Sequence, residues 1–124
     1  MGYTHYWEQS KPFTEKQWTR IMDGAKYVIE AAGNDRIKLA DGLANSGSKP
    51  EVSKDKIWLN GAEDDDYETF CLEREGSGFS FCKTAYRPYD AVVVSILALA
   101  RAVAPGAISL DSDGGPEVFE NTPY

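Results

Sequence analysis

Residues 88–103, PYDAVVVSILALARAV, decide the fold, because this is the one stretch of the chain that is apolar nearly all round. Between Ala91 and Ala104 only Ser95 and Arg101 are polar, so a helix here has almost no face for water and must be buried on most of its circumference. Pro88 suits the first helical position, and Asp90 falls near the positive end of the helix dipole. Pro105-Gly106 stops the run. Val92-Val93-Val94 alone would suit a strand, but about 16 residues rich in Ala and Leu exceed strand length. A membrane span needs roughly 20 apolar residues, and this segment is shorter and carries Arg101. The stripe Val93, Ile96, Leu97, Leu99 and Ala100 is expected to form the centre of the core.

Immediately upstream, Tyr67 to Arg74 and Phe79 to Thr84 read as a hairpin across Glu75-Gly76-Ser77-Gly78. That register sets Cys71 opposite Cys82 and Leu72 opposite Phe81, with Phe70, Leu72, Phe79 and Phe81 on the core face. Downstream, Ala107 to Leu110 is expected as a last strand, and 111–124 as an acidic tail. Further back, Lys56 to Leu59 has strand character, Asn60-Gly61 is a turn signal, and Glu63-Asp64-Asp65-Asp66 is a solvated loop. Residues 41–55 are polar and rich in Gly and Ser, a long loop, preceded by a short strand over Arg36 to Ala40.

At the N-terminus, Gly2 to Trp7 alternates Tyr3, His5 and Trp7 against Thr4 and Tyr6, which predicts a strand. Thr14 then reads as an N-cap with Gln17 completing a capping box and Phe13 stapling onto Trp18. Trp18, Ile21, Met22, Ala25, Val28, Ile29 and Ala32 fall on one helical stripe, and Gly33-Asn34 supplies the C-cap signal. The order β-α-β-β-β-β-α-β predicts an α+β two-layer sandwich over residues 1–124, a single domain, with a mainly antiparallel sheet and both helices on one face.

The net charge of −7 over 124 residues is unevenly spread. Residues 61–75 hold seven acidic groups against one basic, and residues 104–124 hold four against none. This disfavours direct nucleic-acid binding, which needs clustered Lys and Arg. The opening MGYTHYW has neither a basic nor an apolar leader region, so the expected compartment is the cytoplasm. Met1-Gly2 begins like an acylation site, but Tyr6 stands where that signal needs Ser or Thr.

MGYTHYW (1–7), IWLNG (57–61), YETFCLE (67–73), FCKTAYRPYDAVVVSILALARA (81–102) and SLDSDG (109–114) together resemble a family of small uncharacterised proteins of bacteria, their phages and mobile elements. The resemblance spans most of the chain and is most specific in FCKTAYRPYDAVV. It implies a mobile-element accessory protein, and it carries no catalytic residues over.

Several constellations bear on chemistry. Lys83, Thr84 and Arg87 precede the N-terminus of the apolar helix, where free N–H groups favour an anion; the competing expectation is that the two cations pair with Glu68, Glu73 or Asp90. His5, the only histidine, reads as a packed or surface imidazole rather than a base. Cys71 and Cys82 admit a dithiol, a disulfide or half a metal site, with reduced thiols the cytosolic default; their spacing supplies no zinc set. Asp111-Ser112-Asp113-Gly114 opens like a calcium loop, but Gly115-Pro116 breaks the pattern, so it reads as a turn. No phosphate loop, dinucleotide fingerprint or nucleophile elbow is present, and no cofactor is expected.

The leading expectation is a non-enzymatic binding protein that docks on a host protein, such as a nucleic-acid-handling complex, through Glu63, Asp64, Asp65, Asp66, Asp111 and Asp113. Inhibition of nucleic-acid-based defence, as by anti-CRISPR proteins, is its specific form. The alternative is a small enzyme or nucleotide- and anion-binding module using Lys83, Thr84 and Arg87.

Overall fold

A computed structural model describes residues 3–124. Gly2, the expected start of the first strand, and the Met1-Gly2 acylation signal lie outside the described residues. The elements run β1 (Thr4–Gln9), α1 (Glu15–Asn34), β2 (Leu39–Ala40), β3 (Glu51–Val52), β4 (Lys56–Gly61), β5 (Phe70–Glu73), β6 (Gly78–Lys83), α2 (Asp90–Val103) and β7 (Ile108–Ser112). Short 3₁₀ turns cover Glu63–Asp65 and Pro116–Phe119. The fold is an α+β sandwich with two helices and antiparallel sheets, as expected, with one strand more than the sequence suggested. The extra strand, β3, sits inside the supposed long loop and pairs with β4.

The chain builds two ladders instead of one. β1 is the centre of a three-stranded sheet ordered β6-β1-β7. β4 is the centre of the other, with β5 on one side and the short β2 and β3 on the other. The expected hairpin between β5 and β6 therefore does not form: β5 pairs β4, placing Cys71 opposite Trp58, and β6 pairs β1, placing Cys82 opposite His5. Only its root survives, where the Glu68 N–H donates to the Lys83 carbonyl at 3.2 Å. Phe70 and Leu72 are buried as predicted, but Phe79 and Phe81 are 62% and 55% exposed, and the small residue Cys82 is buried in their stead.

α1 begins as its sequence dictates. Thr14 Oγ1 accepts from the Gln17 N–H at 3.1 Å, Gln17 Oε1 accepts from the Thr14 N–H at 3.0 Å, and the Phe13 and Trp18 rings stack. Its end differs from expectation: Gly33 and Asn34 remain helical, Asp35 is the cap, and the left-handed residue is Arg36, with φ 65°. α2 starts at Asp90, two residues after Pro88, and buries Val92, Val93, Val94, Ile96, Leu97 and Ala100. Leu99 lies where a side chain on Gly24 would stand, so glycine lets α1 and α2 approach closely there. One core links Trp7, both helices, β4, β5 and Phe119. No helix among the described residues is long and apolar enough to cross a membrane.

Asn60-Gly61 is not a turn but the end of β4. The Asn60 amide acts as a cross-brace: Nδ2 donates to the Tyr67 carbonyl at 2.9 Å, and Oδ1 accepts from Tyr67 N–H at 3.0 Å and from Gly61 N–H at 2.8 Å. It thereby closes the base of the acidic segment. Likewise Asp111 and Ser112 extend β7, so the turn expected there starts at Asp113.

Candidate functional site

On the inner face of the first sheet, register places His5 between Cys82 of β6 and Ser112 of β7. The imidazole is fully buried. Its Nε2 lies 2.5 Å from Asp90 Oδ1, its Nδ1 lies 2.8 Å from Ser112 Oγ, and the Thr84 hydroxyl donates to the same Asp90 oxygen at 2.5 Å. A carboxylate only accepts, so Nε2 carries the proton toward Asp90; in the neutral ring Nδ1 then accepts from Ser112. Ser112 Oγ in turn accepts from the Gly114 N–H at 3.0 Å. The order Ser–His–Asp has the bond directions of a hydrolytic relay, but Ser112 is only 8% exposed, which leaves its hydroxyl little room to meet a substrate. What the chain of bonds does is lock β1, β7, the turn after β6 and the first turn of α2 to one another.

That network absorbs part of the expected anion site. Thr84 is fully buried and its hydroxyl is committed to Asp90, so it offers nothing to an anion, which corrects its assignment. Lys83 and Arg87 do come together: the ammonium lies 5.6 Å and the guanidinium 5.8 Å from the centre of the Tyr67 ring. Neither forms the ion pair with Glu68, Glu73 or Asp90 that was the competing expectation; Glu68 Oε1 instead accepts from the Lys83 backbone N–H at 2.7 Å. Ala85 and Tyr86, at φ 51° and 62°, form a strained turn between β6 and α2, and Tyr86 stacks on Tyr3.

The thiols sit on different sheets. Burial pushes the Cys82 thiol up to about 12, and the Cys71 thiol is also raised, chiefly by desolvation. Both are poor nucleophiles. Among the described residues no group of three His, Cys, Asp or Glu side chains is placed to hold a metal ion.

The two acidic segments have different surroundings. Glu63 and Asp64 are exposed and Asp65 and Asp66 half-buried on the 3₁₀ turn after β4, with Lys38 Nζ 3.0 Å from Glu63 Oε2. Asp111 and Asp113 are exposed beside β1. Asp113 is partly structural, since Oδ2 accepts from the Thr4 N–H at 3.1 Å and Oδ1 from the Tyr6 hydroxyl at 2.9 Å. The latter bond raises the Tyr6 pKa.

The outer face of the same sheet carries a group the sequence reading missed. Register aligns Phe81, Tyr6 and Asp111 in one row across the three strands, and Phe79, Glu8 and Ser109 in the next. Phe79 is packed against both Tyr6 and Phe81, with ring centroids 6.0 and 6.2 Å away. A shallow depression of about 390 Å³ lies between the aromatic and acidic sides, lined by Tyr6, Trp7, Glu8, Phe79, Ser109 and Asp111. The alternation Phe-Ser-Phe-Cys shows that both rings share a face but not which face is outward. No known protein family, curated protein or solved structure matches the chain significantly.

Proposed function

We propose that this chain is a binding protein that docks on a partner protein through the outer face of the β6-β1-β7 sheet. The observation that carries the reading is the exposed pair Phe79 and Phe81 with the half-buried Tyr6 beside them, bordered by the carboxylates of Glu8, Asp111 and Asp113. Exposed aromatic clusters rimmed by polar groups mark interaction sites, and aromatic residues are the usual anchors of an interface. The acidic border selects a basic partner surface and speeds encounter. Within this proposal the partner is a host's nucleic-acid-handling complex, whose basic channels suit such a face, engaged in the host cytoplasm in the manner of anti-CRISPR inhibitors. The family resemblance and the segregated acid support that form. Glu63, Asp64, Asp65 and Asp66 then act as a separate acidic flank.

The test is retention of bacterial lysate proteins on the immobilised wild type and on a Phe79→Ser/Phe81→Ser variant, at low and high salt. The reading expects bands held by wild type at low salt and lost both at high salt and on the variant. Equal retention by the variant overturns it. The variant should still fold, because each cross-strand aromatic pair it removes is worth about 0.2–1 kcal/mol, against a domain stability of about 5–15 kcal/mol.

A second reading, anion binding at Lys83 and Arg87, is favoured by their shared position over Tyr67 without a carboxylate partner. Inorganic phosphate shifting the Lys83 and Arg87 resonances selectively would support it.

A further inference from the structure

We infer that the free edge of β6 receives a fourth strand: an extended segment of the partner, bearing Lys or Arg on alternate residues, laid beside Phe79 and Phe81. This rests on the binding reading above and specifies how the partner is held. The direction of the backbone groups follows from the neighbouring bonds. Asp113 N–H donates to the Thr4 carbonyl at 3.0 Å and Ser10 N–H to the Ala107 carbonyl at 2.9 Å, so the even-numbered residues of β1 bond toward β7. Thr84 N–H donates to the Tyr3 carbonyl at 3.1 Å, so the odd-numbered ones bond toward β6.

The hydrogen-bonded pairs of the β1–β6 ladder are therefore His5 with Cys82, Trp7 with Ser80 and Gln9 with Gly78. Lys83, Phe81 and Phe79 turn their N–H and C=O groups the other way. At Lys83 that outward pair is already taken by Glu68, which accepts from the N–H through its carboxylate and donates its own N–H to the carbonyl. At Phe81 and Phe79 no backbone partner exists among the described residues. The strand that would have covered them, β5, has left for β4. The open edge and the exposed rings thus belong to the same two residues, and an unpaired edge is a template for strand addition.

Charge decides the occupant. Side chains of an added strand that point outward lie next to the Phe79 and Phe81 rings; Glu8 stands one strand further in, beside Phe79, and Asp111 two strands in, beyond Tyr6. A Lys or Arg there packs its stem and cation on the rings and directs its charge toward the carboxylates. A second copy of this chain would instead bring one net charge of −7 against another.

The experiment is amide hydrogen exchange on the full chain by NMR. In the free protein, Ser80 and Cys82 amides should exchange at least tenfold more slowly than those of Phe79 and Phe81. Adding a blocked eight-residue peptide of alternating Arg and Val should slow Phe79 and Phe81 at least tenfold, while the Glu–Val counterpart should not. An Arg–Val peptide N-methylated on the residues that face the edge should bind at least tenfold more weakly. Equal binding by the N-methylated peptide overturns strand addition while leaving the aromatic and acidic face intact as a docking site. Concentration-dependent protection of Phe79 and Phe81 in the protein alone assigns the edge to a second copy and also overturns the inference.

Discussion

Asp90 Oδ1 is the acceptor on which three elements converge, taking the His5 ring and the Thr84 hydroxyl at 2.5 Å each. Replacing Asp90 by Ala leaves two buried donors without their acceptor, and each orphaned group costs about 1–3 kcal/mol. Asp90→Ala is therefore expected to lower stability by about 2–4 kcal/mol in denaturant titration. Asp65→Asn in the acidic turn should stay within about 0.5 kcal/mol of wild type. A midpoint for Asp90→Ala close to that of Asp65→Asn would show that the network contributes nothing. The place of His5 in an aromatic strand left open whether the ring is packed or at the surface, and the structure packs it. Its partners were not legible, because Ser112 and Asp90 lie 107 and 85 positions away and no local pattern links them to it. Thr84 was misassigned for the same reason: a hydroxyl before a helix suggests a ligand until its carboxylate neighbour is placed.

At the scale of elements, helices were legible and strand partners were not. The capping box of α1 and the apolar run of α2 are local signals, and both helices formed where those signals stand. Leu97, fully buried at the centre of α2, tests the core directly. Leu97→Ala should cost about 2–5 kcal/mol and lower the melting temperature by several degrees; a melt within a degree or two of wild type would contradict the central position of α2. For β6 the alternation was read correctly and its direction inverted. Apolar rings usually point inward, but β6 joins β1 rather than β5, so its small side chains face His5 and its phenylalanines face solvent. Asn60-Gly61 has the composition of a tight turn, yet Asn60 uses its amide to brace Tyr67, an arrangement that only the returning chain makes available.

Across the whole molecule, residue 124 is tied back into the body. The Tyr124 hydroxyl donates to Asp35 Oδ2 at 2.6 Å, which joins the last residue to the cap of α1. That bond, through the neutral phenol, raises the Tyr124 pKa to about 12. Because the folded value lies above the ordinary tyrosine value of about 10, the contribution of this contact to stability is complete below that range. It is lost as pH rises through the raised value. In an alkaline absorbance titration, Tyr124→Phe should remove a tyrosine that ionises near pH 12; loss instead of one that ionises at the ordinary value of about 10 would show that the contact does not persist in solution. The central strand β1 lies near the start of the sequence, whereas its neighbours β6 and β7 come late, with β7 ending at Ser112. Such long-range pairing places folding in the slow, topology-limited regime. During synthesis β1 has to wait, unpaired, until β6, residues 78–83, has left the ribosome. The third strand of that sheet arrives only with residues 108–112, so a chain cut before Ile108 can bring Phe79 and Phe81 beside Tyr6 while leaving the other edge of β1 bare.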